Sequence, residues 1–240
     1  MLSNNSPFAW WKLLAFILLL YGGTMGFLGH VPRLPILNET IRNLYFHVPM
    51  WFAMTLFLLL AFAYSIAYLS KGNLKYDRYV VEFTRTGMMF GILGLLTGMM
   101  WAKFTWGTFW TKDPKLNAAA IAMLIYTAYM ILRDAIADED KKARITAVYN
   151  IFAFPAFMAL IYILPRLTSS LHPGNGGNPG FSSYDRDREM NMIFYSAVIG
   201  FMLLGTWITS LRIRLRIWAD KKDGLHIDSE KNVSKDLLDA

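Results

Sequence analysis

The chain is 240 residues long, 55% hydrophobic and 15% aromatic, with 17% charged residues and a formal charge of +7. That is too little charge for a soluble domain of this size and points to a membrane protein with several spans. There is no cysteine, which excludes disulfides and cysteine-based metal or redox sites, and the basic residues lie in short segments beside apolar runs, a pattern of membrane topology that argues against nucleic acid as a partner.

Six runs without a charged residue follow one another: 13–28, 48–69, 86–100, 116–132, 145–164 and 192–211. Crossing the hydrocarbon takes about 20 residues, so the third and fourth need their flanks. Backbone groups in lipid must pair within their own segment, which predicts an all-α polytopic bundle of six transmembrane helices. The first run has no charge ahead of Lys12 and no small-residue cleavage site, so it reads as an anchor. In the third, Gly87 and Gly91, then Gly94 and Gly98, form small-xxx-small pairs that let a neighbouring helix come close. Pro155 should kink the fifth helix. The Pro- and Gly-rich stretch 173–180 reads as an irregular outward loop. Residues 1–219 form the membrane domain, and 220–240 a polar cytoplasmic tail.

Six spans place both termini on one side. Lys and Arg fall about two to one in favour of the segments on that side, which predicts cytoplasmic termini. The segment between the third and fourth runs then faces outward, towards the periplasm in a bacterium. It is the most unusual stretch of the chain: Trp101, Phe104, Trp106, Phe109 and Trp110 crowd into ten residues around Gly107, followed by Asp113 and Pro114. Two readings stand side by side. Trp favours the headgroup level of a bilayer, so this is an aromatic belt; or it is a platform for a large flat apolar ligand. Asp113 followed by Pro114 is also a good start for a helix, as N-cap and N1.

Of four histidines, His226 falls in the tail, while His30, His47 and His172 fall in outward segments. His47 stands in Tyr45-Phe46-His47-Val48-Pro49 at the mouth of the second span, and His172 just past the fifth. Each is either a hydrogen-bonded surface histidine or a ligand, since a neutral imidazole is a common partner of haem iron.

The run Trp106-Gly107-Thr108-Phe109-Trp110-Thr111-Lys112-Asp113 resembles the WGxWWxWD signature of the tryptophan-rich (WWD) superfamily of haem-handling membrane proteins. Phe109 keeps an aromatic face where the signature has Trp; Lys112, in place of the last Trp, does not. The Tyr-Phe-His-Val-Pro context of His47 and the Leu171-His172 pair match the outward histidines that flank this loop in the superfamily. Length and span number are most similar to the cytochrome c maturation protein C family. The resemblance implies a haem platform of Trp101, Trp106, Gly107, Phe109, Trp110 and Asp113, with His47 and His172 as axial ligands of the iron. It implies haem b as a transient substrate in the bacterial inner membrane, passed to a membrane-anchored periplasmic haem chaperone. It further implies association with ABC-type permease and ATPase subunits; the chain has no phosphate-binding G-x-x-x-x-G-K-[ST] loop of its own. Haem propionates require cations, for which Arg42, Lys112, Lys115 and Arg166 are the candidates beside Lys103, all of them equally placed to snorkel to lipid headgroups.

No enzyme chemistry is expected. The alternative, a cytochrome c haem lyase component, is suggested by Asp113-Pro114-Lys115, but that branch carries further histidines within its spans, and no run here contains one. The same absence argues against an electron-transferring b-type cytochrome. A transporter would need ionisable groups inside the spans, and all six runs lack them.

Overall fold

The structure, a computed structural model, describes residues 9–33, 37–172 and 187–222. The stretch 173–180, His226 and the tail beyond Lys222 lie outside the described residues. Among those described there are helices and no strand. α1 spans Trp10–Leu28; a 3-10 turn, Asn38–Asn43, leads into α2, Leu44–Lys71; α3 runs Leu74–Trp106 and α4 Pro114–Ala135. α5, Glu139–Met158, continues through a π-helical turn, Ala159–Ile163, into the short α6, Leu164–Leu167, and α7 is Arg188–Lys222. Six of these helical stretches are long and apolar enough to cross a membrane, one for each expected run.

The ends of the helices follow from a few residues. Gly72 closes α2 in the left-handed conformation at φ 64°, its N–H bonded to the Tyr68 carbonyl at 2.8 Å. Asn73 then caps α3, its side chain accepting from the Lys75 N–H, so two residues suffice for the reversal. Asp138 caps α5 in the same way, with Glu139 and Asp140 in the first turn favoured by the helix dipole. The π turn begins shortly after Pro155, where a backbone N–H is missing from the ladder, and carries Tyr162, whose hydroxyl bonds Thr55 of α2 at 2.6 Å.

α2 is the central element, packed on α3, α5 and α7, while α1 lies on α7. One core joins α2 to α3, α4 and α5 through Met54, Phe57, Leu58, Phe90, Tyr126 and Phe157; a second joins α2 to α7 through Tyr45, Ile193 and Phe194. Leu13, Phe16 and Leu20 of α1 and Leu124 and Ile131 of α4 remain exposed, the faces that lipid would cover.

The glycines of α3 determine how closely it meets α2. A Cβ built on Gly87 would meet Leu58, one on Gly91 would meet Met54, one on Gly94 would meet Trp51, and one on Gly98 would meet His47. Four successive side chains of α2 thus seat on four glycines of the antiparallel α3. This is the close approach expected of the small-xxx-small pairs, now with its partners identified.

The third run gains the flank that its length required: α3 begins at Leu74, ahead of the charge-free stretch from Thr86, and buries both Asp77 and Glu82. Asp77 receives a two-pronged bond from Arg133 of α4, at 2.8 and 2.5 Å, and Arg133 also donates to Thr146 of α5 at 2.9 Å. Glu82 takes Arg85 at 3.0 Å and Arg212 of α7 at 2.7 Å. The charges did not end the helices, because partners on neighbouring helices satisfy them.

Candidate functional site

The end of the bundle that carries the Trp-rich loop is built from the last turns of α3, the start of α2 and the segment after α6. α3 stops at Gly107, whose φ of 82° only glycine adopts without strain and whose N–H bonds the Lys103 carbonyl at 3.1 Å. No atom lies within 4 Å of a Cβ built there, so Gly107 is required by the turn, and the space beside it is open. Thr108 folds the next step, its hydroxyl donating to the Trp110 carbonyl and accepting the Trp110 N–H. Phe109 and Trp110 stand exposed on this turn, the Trp110 indole N–H bonded to Asn117 at 3.2 Å.

Asp113 combines two tasks. Its Oδ1 accepts the N–H groups of Lys115 and Leu116, capping α4 with Pro114 at the first helical position. Its Oδ2 accepts the Ser170 hydroxyl at 2.8 Å and the Leu171 N–H at 2.7 Å, and His172 Nδ1 lies 2.9 Å from Oδ1. Burial alone would raise this carboxyl's pKa; the bonds from His172, Leu171 and Ser170 outweigh it and hold Asp113 well below the usual carboxylate range. Burial, by contrast, dominates at His172 and pushes its pKa below 6.5, against the opposing pull of Asp113. The result is a neutral imidazole beside an ionised carboxylate. A carboxylate only accepts, so Nδ1 carries the proton and Nε2 keeps its lone pair.

His47 is anchored at Nδ1 by another route. Its Nδ1 lies 2.9 Å from the Gly94 carbonyl, which only accepts, and 3.2 Å from the Thr97 hydroxyl. When this imidazole is neutral its lone pair is again on Nε2. Each histidine also has a Trp of α3 at its side: Trp101 edge-on to His47 at 5.9 Å, and Trp106 edge-on to His172 at 5.0 Å. Trp101 is fixed by its own N–H, which donates to Thr40 at 3.1 Å.

The structure therefore forms two groups on the last turns of α3, His47 with Trp101 and His172 with Trp106 and Asp113, and leaves Phe109 and Trp110 at the exposed edge. Trp51, edge-on to His47 at 6.3 Å, was missed in the sequence, although its position one turn along α2 from His47 was a usable signal. The cations divide. Arg42 donates to the Gly29 carbonyl at 2.7 Å, the Gly26 carbonyl at 3.2 Å and Glu39 at 2.7 Å, so it holds the end of α1. Lys112 and Arg166 are exposed and Lys115 is half-buried. Lys103 bonds the Gly107 carbonyl at 2.9 Å. His30 is exposed beyond α1.

Gly98 makes room for His47, since a Cβ there would lie 2.6 Å from His47 Cε1. Gly98→Ala is expected to displace the imidazole and cut binding at the site severalfold. Gly23→Ala, with no atom within 4 Å of its Cβ, should leave binding unchanged and stabilise α1 by about 0.5–1 kcal/mol. Parallel ligand titrations and thermal melts check both.

Residues 2–227 match the family model for heme exporter protein C. The protein of that name from Rhodobacter capsulatus is 26% identical over 224 residues, 90% of this chain and 88% of the relative. The one from Escherichia coli K12 is 24% identical over 207 residues, covering 85% and 81% respectively. That from Bradyrhizobium diazoefficiens is 31% identical over a shorter stretch of 115 residues, 48% of this chain and 43% of its own length. With its six apolar helices and a match that runs nearly end to end, the chain belongs to the heme exporter protein C family.

Proposed function

We propose that this protein handles haem for cytochrome c maturation, holding it at the outer face of the bacterial inner membrane and passing it on without chemical change. His47 and His172 ligate the iron through Nε2, and Trp101, Trp106, Gly107, Phe109, Trp110 and Asp113 form the platform and its supports. The observation that carries this reading is the pair of imidazoles, each anchored at Nδ1 and flanked by a Trp of α3. Two histidines make a poor cage for a bare ion, and among the described residues no group of three or more His, Cys, Asp or Glu side chains converges. Two are what a haem iron needs, because the porphyrin supplies the other four ligands. The names of the relatives support haem as the molecule handled.

Lys112, Lys115 and Arg166 are the cations we assign to the propionates; Arg42, bonded to the carbonyls that end α1, serves the scaffold. The recipient is a membrane-anchored periplasmic haem chaperone, and ABC-type permease and ATPase subunits supply the ATP hydrolysis. Residues 1–219 act as one membrane unit, with haem b as transient substrate. The test is the visible spectrum of the detergent-purified protein, produced with its chaperone partner. A Soret band with the sharp reduced bands of six-coordinate iron is expected; a haem-free preparation would return the loop to an aromatic belt.

Asp113→Asn separates the two tasks of that residue. Asn keeps one oxygen for the cap, but its NH2 must then face the donors of Ser170 and Leu171, so stability should fall by about 1–3 kcal/mol. The amide no longer offers a charged, accept-only partner to His172, and haem occupancy should fall about 10-fold or more, as for other supports of metal-binding histidines. The pH dependence follows from both groups. Each has a folded pKa below its unfolded value, so the unfolded chain binds more protons and stability rises with pH across both windows. Haem retention should be level above about pH 7 and decline as pH falls below 6.5 through the depressed pKa of His172. The stability from Asp113 is lost only below 3.8. Occupancy read from the Soret band against pH checks both, and a profile unmoved by Asp113→Asn would reduce the residue to a cap.

A further inference from the structure

At the opposite end of the bundle, independent of the haem reading, α3 and α7 enclose an open groove lined by Glu82, Arg85, Arg212, Leu215, Arg216 and Ala219. Glu82 is buried at its floor, with 3% of its side chain exposed, and three guanidinium groups converge on it. Arg85 bonds it at 3.0 Å, Arg212 at 2.7 Å and Arg216 at 3.5 Å. Three cations on one carboxylate leave a surplus of two positive charges in the cluster. Each guanidinium has five N–H donors, of which Glu82 takes one or two. The Arg side chains stay 27–40% exposed, so their remaining donors face the groove. One wall is apolar: Leu215 and Ala219 lie one turn apart on α7, and Leu211 and Trp218 beside them are exposed.

We propose that this groove binds a phosphate oxyanion, with the apolar wall taking the first methylenes of an acyl chain when that phosphate belongs to an anionic lipid. The buried carboxylate works as a template. It holds three flexible Arg side chains in fixed directions, so little rotamer freedom remains to be lost when a phosphate arrives. Arginine forks match phosphate oxygens geometrically, and basic pockets between membrane helices recognise lipid headgroups in this way. Headgroup snorkelling by three independent arginines would not require them to share one buried acid.

The full-length protein in neutral detergent is titrated with short-chain phosphatidylglycerol, phosphatidylcholine and inorganic phosphate, and unfolding is followed by the fluorescence of its 8 Trp. Arg216→Gln is the informative variant. Its bond to Glu82 is the longest of the three, so Glu82 stays paired with Arg85 and Arg212 when it is lost. Phosphatidylglycerol should raise the melting temperature of the parent, and Arg216→Gln should need about 10-fold more lipid for the same rise. Native mass spectrometry should show one retained lipid in the parent and loss of it in the variant. Stabilisation by inorganic phosphate, abolished in the variant, assigns the same chemistry to a soluble anion. Equal stabilisation by phosphatidylcholine, or none by either anion, overturns the proposal.

Discussion

His47→Ala and His172→Ala are each expected to strip the purified protein of most of its haem, with a residual Soret band shifted to that of five-coordinate iron. The expectation rests on the state of the imidazoles. His172 Nδ1 is fixed by Asp113 and His47 Nδ1 by the Gly94 carbonyl, so each presents a lone pair on Nε2 with little reorganisation. Loss of one ligand leaves the porphyrin held by the Trp faces and the remaining imidazole, a weak clamp in which occupancy should drop at least tenfold. Added imidazole should restore part of the six-coordinate spectrum in either variant, because alanine leaves space where the ring stood, and that rescue separates a lost ligand from a misfolded protein. His30→Ala, at an exposed position, should behave as the parent. Haem content indifferent to both substitutions would remove His47 and His172 from the iron.

The second large effect belongs to stability at the far end. Asp77→Asn or Arg133→Met should destabilise the protein by about 3–5 kcal/mol, because either leaves its partner buried and unpaired. Both side chains are at most 5% exposed and joined by two bonds, so water cannot take the missing partner's place. The double variant Asp77→Leu/Arg133→Met should recover most of the loss, since apolar replacement of a buried pair is often near neutral. Unfolding in mild detergent, by heat or denaturant, measures all three. Single variants within about 1 kcal/mol of the parent would mean that solvent reaches the pair. The haem spectrum should be unchanged throughout, because the pair lies at the opposite end of α3 from the Trp-rich loop.

The helices were legible because a backbone in lipid has one way to pair its polar groups, and the glycines of α3 could be read as a contact face without knowing what they contact. Asp113 was half legible. Its cap depends on Pro114 and two local N–H groups, whereas its hold on Ser170, Leu171 and His172 joins segments more than fifty residues apart, which local pattern cannot reveal. Arg42 misled for the same reason: its cation suits a propionate, but the carbonyls ending α1 reach it first. Asp77 and Glu82 fall in the flank that the third run needed, but their partners Arg133 and Arg212 on other helices could not be read from local sequence. Trp51 lay inside an apolar run, and only its place one turn along α2 from His47 marked it out.

The four glycines that seat Leu58, Met54, Trp51 and His47 fix α2 against α3 like the teeth of a rack. Sliding either helix by half a turn would unseat all four side chains at once, so the seam holds His47 in place. His172 is held differently, by one carboxylate and the few residues after α6, with no comparable helix seam behind it. Under the proposed function, a haem held between them is expected to leave by the His172 side, where its recipient would approach.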